Sequence, residues 1–393
     1  MLIRKFIAGL IFLALFVGAF ASAHYYLVKR IALDGSWSAP VAAILVAVML
    51  VGFSSLVVHG LLWRRLGIAA KPMSWIAYVW MGVLFYLLVS SAATELATMV
   101  FRAVGPEQAA LVESLSFLRA RALVIVALAT VASMFALRRG LAPPVTKRVE
   151  IALKKFPQAL NGFRIVQISD IHIGPILDQR FSRLIAERVT ALEPDLVAVT
   201  GDLVDGRVSH LIDEVAPFAA IDAPYGVFFV TGNHDYYSGA QDWTAHVASF
   251  GWRPLRNESV RIEQDGDGFE LVGVDDPHGA MLTGEGGEDL GRALESVDPE
   301  RAIVLLAHDP ATFRRARKTS VGLQISGHTH GGQIWPFGWL VRLSVPWVAG
   351  LYRAADAQIY VSCGTGFWGP PMRLGTQAEI TEFVLTRAAD PEP

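Results

Sequence analysis

The sequence predicts two unlike parts, an all-α transmembrane region of about four helices followed by an α/β domain. The first sign is where the charge lies. Residues 1–140 hold four acids (Asp34, Glu95, Glu107, Glu113) against twelve Lys and Arg, while the other 253 of the 393 residues hold 32 acids and 22 bases. The overall charge of -2 is thus a +8 segment joined to a -10 segment, and its distribution says more than its sum. The second sign is a series of long apolar runs in the basic part. The third is an alternation of strand-like and helix-like periodicity that begins at Lys147.

The apolar runs come first. Phe6–Ala23 follows Arg4 and Lys5, and Pro40–Leu62 closes on Arg64 and Arg65. Met73–Ser90 extends towards Met99, and Leu123–Leu137 lies between Arg119/Arg121 and Arg138/Arg139. Each approaches the ~20 residues that cross a ~30 Å hydrocarbon core. The first run also has the basic start and the Ala21-Ser22-Ala23 end of a signal peptide, but three further runs favour an uncleaved span. With the N-terminus inside, the inner loops carry nine Lys and Arg and the outer loops five. That bias predicts a multi-pass cell-membrane protein with a cytoplasmic C-terminal domain. His59 and Glu95 are the strongly polar residues within the runs; both lie near predicted helix ends and read as interfacial groups. A single cysteine, Cys363, allows no internal disulfide.

Gly140-Leu-Ala-Pro-Pro-Val reads as a linker, since paired prolines stop a helix. The expected boundaries are therefore 1–140 for the helical region, 141–148 for the linker and 149–393 for the α/β domain. Strands are predicted at Val149–Leu153, Phe163–Ser169, Leu196–Thr200, Val227–Thr231, Ala302–Ala307, Gln358–Cys363 and Ala378–Thr386. Helices are predicted at Asp178–Leu192, His210–Ala220, Trp243–Phe250 and Ala311–Lys318. Asp265-Gly266-Asp267-Gly268 marks a hairpin turn.

Strand ends are where open α/β sheets place their ligands. Five strands here run into metal-ligand types: Asp170-Ile171-His172, Gly201-Asp202-Leu203-Val204-Asp205, Gly232-Asn233-His234-Asp235, His308-Asp309 and His328-Thr329-His330. Each alone has an ordinary explanation as turn or cap chemistry. Five in one domain do not. Alternation along the last strand places His328 and His330 on one side, with converging imidazoles. Several His, Asp and an Asn are too numerous for a structural zinc site, and they suit two divalent ions with mixed oxygen and nitrogen ligands, such as Mn²⁺, Fe²⁺ or Zn²⁺.

This order of motifs resembles the calcineurin-like metallophosphoesterase family. The longer forms TGDLVD, GNHDYY, LAHDP and SGHTHGGQ are similar to its membrane-attached bacterial branch, which includes transmembrane proteins with a metallophosphoesterase domain. The match runs from about Val149 to Thr386 and implies a two-sheet sandwich flanked by helices. It also implies roles. Asp170, His172 and His330 would hold one metal, Asn233, His308 and His328 the other, and Asp202 would bridge them. His234 would face the scissile phosphate, and Asp235 would orient it.

Two matches are decoys. Gly364-Thr365-Gly366-Phe367-Trp368-Gly369 fits a dinucleotide fingerprint, but Pro370-Pro371 follows where a helix must begin, leaving a flexible loop. The Asp265 turn has its Gly in the wrong place for a calcium loop. Two function classes follow: a hydrolase of phosphomonoesters or diesters, soluble or lipid-linked, and a non-catalytic metal-binding module on the same fold. Nucleic acid is an unexpected partner, because the domain is acidic and has no distributed basic groove. Between Pro310 and Ala355 there is no acid, six residues are basic, and Trp335, Phe337, Trp339 and Trp347 follow His330. That stretch reads either as a core cover or as a membrane-interfacial patch beside the site. The second reading points to an amphiphilic phosphodiester or pyrophosphate, and UDP-2,3-diacylglucosamine, a substrate of some members, is of that kind.

Overall fold

The computed structural model describes residues 2–279 and 286–388, with residues 2–13, 16, 64 and 68 described by backbone alone. The chain divides into two compact units. One comprises Met1–Leu66, Ala70–Arg138 and Gly369–Met372; the other comprises Gly67–Ala69, Arg139–Trp368 and Arg373–Pro393.

The first unit is helical: α1 (Leu2–Leu27), a π-helical stretch Val28–Leu33, α2 (Ala39–Leu66), α3 (Lys71–Arg102), α4 (Pro106–Glu113) and α5 (Leu115–Gly140). Proline stands in the first turn of α3 and of α4, where its missing N–H breaks no helical bond. Among the described residues, three helices are long and apolar enough to cross a membrane: Ala39–Trp63, Lys71–Arg102 and Leu115–Gly140. The first expected span falls in α1, whose early side chains lie outside the described residues. The last expected span, Leu123–Leu137, is the middle of a 26-residue helix that runs through its arginine flank, because Arg is a good helix former.

The polar groups in this unit are paired with one another. Glu95 accepts from Arg30 at 3.0 Å and from Arg121 at 3.2 Å, and Asp34 pairs with the same two arginines at 3.1 and 3.5 Å. Two acids and two bases thus form a neutral cluster. His59 is buried, with Nδ1 3.1 Å from the Ser74 hydroxyl and its ring against Tyr78. Distance from a helix end is legible in a sequence; a partner on a neighbouring helix is not.

The second unit holds two six-stranded mixed sheets. The first has the order β1 (Val145–Leu153), β12 (Glu379–Arg387), β2 (Phe163–Ile168), β3 (Leu196–Thr200), β4 (Val227–Val230), β5 (Arg253–Pro254). The second has the order β10 (Gly350–Ala354), β11 (Ala357–Val361), β9 (Leu323–Ser326), β8 (Ile303–Leu306), β7 (Asp267–Gly273), β6 (Glu258–Gln264). Its helices are α6 (Gln179–Thr190), α7 (Val208–Val215), α8 (Asn233–Ser238), α9 (Ala240–Ala248), α10 (Leu290–Leu294), α11 (Phe313–Ala316) and α12 (Gly338–Ser344).

Strand periodicity explains the layers. Ile165, Ala198 and Phe228 from the first sheet join Phe269, Leu271, Val304 and Ile325 from the second in one buried cluster. The alternate residues Val272, Ile303, Leu305 and Ile359 form a separate apolar cluster with Leu290 and Phe313 from the helices. Both faces of these strands are therefore covered, as parallel pairing requires. The implied sandwich is what forms.

Three expectations shift. The linker is shorter, because Val145 already pairs with Glu379 and β1 lies parallel to β12, a partner far along the chain. The helix expected at His210–Ala220 stays α-helical only to Val215 and continues as a 3₁₀ turn at Pro217, which cannot donate an intrahelical bond. Gly232-Asn233-His234-Asp235, read as a turn, opens α8.

Candidate metal centre

The parallel strands β2, β3, β4, β8 and β9 deliver the five motifs at their C-terminal ends. The backbone there is unusual. Among the described residues, twelve non-glycine positions have positive φ, and five are Asp170, His172, Asp202, His328 and His330. The left-handed region is unfavourable for such residues by about 1–3 kcal/mol each, so their surroundings must hold them there.

The side chains gather in two groups that share one oxygen. In the first, His172 Nε2 and His330 Nε2 are 3.1 Å apart, and His330 Nε2 is 3.5 Å from Asp170 Oδ1. In the second, His308 Nε2 is 3.2 Å from Asp202 Oδ2 and 3.3 Å from His328 Nδ1. Asp202 Oδ2 is also 3.8 Å from His172 Nε2, which puts that oxygen between the groups. Asn233 Oδ1 is buried without a partner, next to His234, whose backbone N–H donates to Asp202 Oδ1 at 2.8 Å.

His328 and His330 do not converge as a strand would make them. β9 ends at Ser326, and the left-handed turn that follows sends His328 to His308 and His330 to His172. Gly327 is needed for that turn to pass the site, since a Cβ there would lie 2.1 Å from Asp170 Oδ2. Gly232 is needed likewise, because its Cβ would lie 2.2 Å from Asp202 Oδ1.

The residues around the groups orient them. His308 Nδ1 donates to the Thr200 carbonyl at 2.8 Å, which turns Nε2 towards Asp202. His172 Nδ1 donates to Asp205 Oδ1 at 3.0 Å, leaving its Nε2 towards His330. The same Asp205 oxygen accepts from His234 Nδ1 at 2.7 Å. This differs from the expected part of Asp235. That carboxylate is fully buried and accepts from the backbone N–H groups of Asp202, Leu203 and Gly232 at 2.8–3.0 Å. It braces the turn that carries Asp202, while Asp205 holds the His234 ring. The reason is local: as the third residue of α8, Asp235 points back at the helix start.

Electrostatics follows from these contacts. Burial disfavours charge on His330 and His328, and the neighbouring His172 and His308 depress them further, which favours the neutral ring in both. Burial opposes charge on His308 too, but Asp202 outweighs it and raises that pKa. Burial would lower His234, yet Asp205 and Asp202 raise it to about 9, so it holds a proton at neutral pH. Burial would raise Asp205, but His172 and His234 keep it below the ordinary carboxylate value.

Two contributions were missed in the sequence. Asp205 was visible as the second acid of Gly-Asp-x-x-Asp, without a role. Asp276-Pro277-His278 repeats the Asp-x-His spacing of Asp170 and His172, and that was the available signal. His278 Nδ1 donates to Asp276 at 2.9 Å, and its ring stacks on His328 at 6.1 Å. The glycine loop is held rather than free: buried Arg373 donates to the carbonyls of Cys363 and Gly366, and Thr365 and Gly366 bond to Ser169 and Asp170.

Comparison with known sequences agrees in kind. Residues 163–332 match the calcineurin-like phosphoesterase family. A Bos taurus protein named transmembrane protein with metallophosphoesterase domain is 37% identical over 342 residues, covering 82% of this chain and 76% of that one. An uncharacterized metallophosphoesterase of Helicobacter pylori is 36% identical over 248 residues, covering 63% and 65% of the two chains. Among solved structures, a dimetal phosphatase from Danio rerio aligns over 52% of this chain and 88% of that one at 14% identity, with a TM-score of 0.36.

Proposed function

The chain belongs to the calcineurin-like metallophosphoesterase family, and from that premise we propose a membrane-anchored, two-metal hydrolase acting on a lipid-linked phosphodiester or pyrophosphate. One observation carries the two-metal reading: a single buried carboxylate oxygen, Asp202 Oδ2, stands between two histidine groups. The donor set fits divalent cations. It combines imidazoles, carboxylates and an unpartnered buried amide oxygen, a mixture suited to Mn²⁺, Fe²⁺ or Zn²⁺.

In this reading Asp170, His172 and His330 would hold one ion, Asn233, His308 and His328 would hold the other, and Asp202 would serve both. Bound cations would polarise the phosphoryl oxygens and acidify water for in-line attack. The remaining work falls to the chain. Asp205 fixes His234 through Nδ1, which leaves Nε2 as the atom that hands a proton to the departing oxygen. A merely metal-binding module would have no use for a proton donor held in this way.

The lipid-linked substrate rests on what surrounds His234. Tyr237 and Trp368, both at least half exposed, stand edge-on to its ring at 5.2 and 5.6 Å. An apolar leaving group can lie against such rings; a free phosphate gains nothing from them. The test uses the full chain in lipid nanodiscs, loaded with Mn²⁺, on matched acylated and deacylated phosphodiesters. The acylated form is expected to have a kcat/KM higher by about tenfold or more, or ~1.4 kcal/mol. Equal values would support a phosphatase of soluble substrates, and no turnover despite bound metal would support the binding module.

We place the catalytic unit in the cytoplasm, on the nine-to-five bias of Lys and Arg across the loops. Reporters fused after Pro393, one active only inside and the other only outside, are expected to give the inside signal. The outside signal alone reverses the topology.

A further inference from the structure

The stretch rich in tryptophan after His330 splits into two parts. Trp347 packs against Phe313, with ring centroids 5.1 Å apart, and belongs to the core. The preceding segment does the opposite. No residue of α12 is buried, although its sequence is Gly-Trp-Leu-Val-Arg-Leu-Ser. Trp335, Phe337, Trp339, Leu340 and Leu343 are all exposed, Leu343 to 84%.

This is not a loose end of the fold. Ile334 is buried, the Trp335 N–H donates to the Leu374 carbonyl at 2.8 Å, and the Trp335 and Trp339 rings meet edge to face at 6.2 Å. On the far side Val345 and Val348 are buried, and the Thr329 hydroxyl donates to the Val348 carbonyl at 2.6 Å. The apolar segment is thus fixed at both ends and held outward. A contiguous apolar surface of this kind marks an interaction site.

We propose that Trp335–Leu343 is a bilayer-docking element whose partner is a surface of anionic phospholipid. Its charge selects that partner. Arg342 lies on α12, Arg314 donates to the Ser344 carbonyl at its C-terminal end, and no acid occurs between Pro310 and Ala355. Tryptophan, leucine and arginine together suit the headgroup boundary, with rings at the interface and guanidinium groups on anionic lipid. A second copy of the chain fits poorly, because a two-fold contact would set this basic patch against itself. The helices long enough to span a membrane keep lipid within reach of the domain at all times. Docking is a property of this surface and does not require the substrate to be a lipid.

The experiment places a photoreactive benzophenone amino acid at Leu343 of the full chain in nanodiscs of phosphatidylcholine, with and without phosphatidylglycerol. Asp356, exposed and outside the segment, is the control position, and metal content reports folding. Phospholipid adducts are expected several-fold above the control, rising with phosphatidylglycerol and falling in the Arg342→Glu background. Benzophenone at Leu340 repeats the measurement should the Leu343 variant misfold. Protein–protein adducts in place of lipid, or lipid adducts no more frequent than at Asp356, overturn the proposal.

Discussion

Asp202→Ala is expected to strip bound divalent metal and to lower phosphodiester turnover by more than about 100-fold, the upper end of what contacts outside a metal's own ligands cost. The reason is the shared position of one oxygen. Asp202 Oδ2 is 3.2 Å from His308 Nε2 and 3.8 Å from His172 Nε2, and the residue is almost completely buried. Removing it withdraws the negative charge that would offset two neighbouring cations. It also leaves the His234 N–H, which donates to the other oxygen, without its acceptor. Asp202→Asn keeps the shape and separates these effects: it should fold, retain less metal than the native chain, and remain nearly inactive. Metal content by mass spectrometry, read beside the rate, decides the matter. Full metal occupancy in both variants would remove Asp202 from the ligand set.

His234→Ala should behave differently, keeping its metal while losing about 10²–10⁴-fold in kcat, the range associated with a positioned proton donor. His234 touches the site through its backbone N–H and through Asp205, while its ring stands T-shaped to His172 at 4.7 Å. Its proton is held by Asp205 and Asp202 against burial, which raises the pKa to about 9. Activity that depends on this proton falls as pH rises through that value, and the alkaline limb should be missing from the residual rate of His234→Ala. Asp205→Asn completes the comparison. Because Asp205 holds both His172 and His234, it should weaken metal affinity and turnover together, each by about 10–100-fold. If His234→Ala itself loses a metal, His234 is a ligand and the assignment of roles is wrong.

Much of the molecule is legible in its sequence. Run length and charge separated the helical part from the α/β part, because burial in lipid and burial in a sheet demand different periodicities. Leu196–Thr200 has the bounds its sequence predicts, since four apolar residues and Thr200, all buried, lie between polar turns. The residues that gather at the strand ends are legible too, because their types are chemically rare there and local spacing carries the signal.

What local spacing cannot carry is direction and partnership. The left-handed backbone at Asp170, His172, Asp202, His328 and His330 sends side chains where no strand period would, so the divergence of His328 from His330 came only with the fold. The holder of His234 was decided the same way: Asp235 is its neighbour in sequence, but the start of α8 turns that carboxylate onto the backbone and leaves the ring to Asp205. Glu95 found Arg30 and Arg121, and Val145 found Glu379, across distances in the chain that periodicity does not span. The sequence by itself determined which residues are apolar, ionisable or ligating, because those are properties of single side chains. Tertiary structure decided which of them share an oxygen, a proton or a surface, because those are properties of pairs brought together by folding.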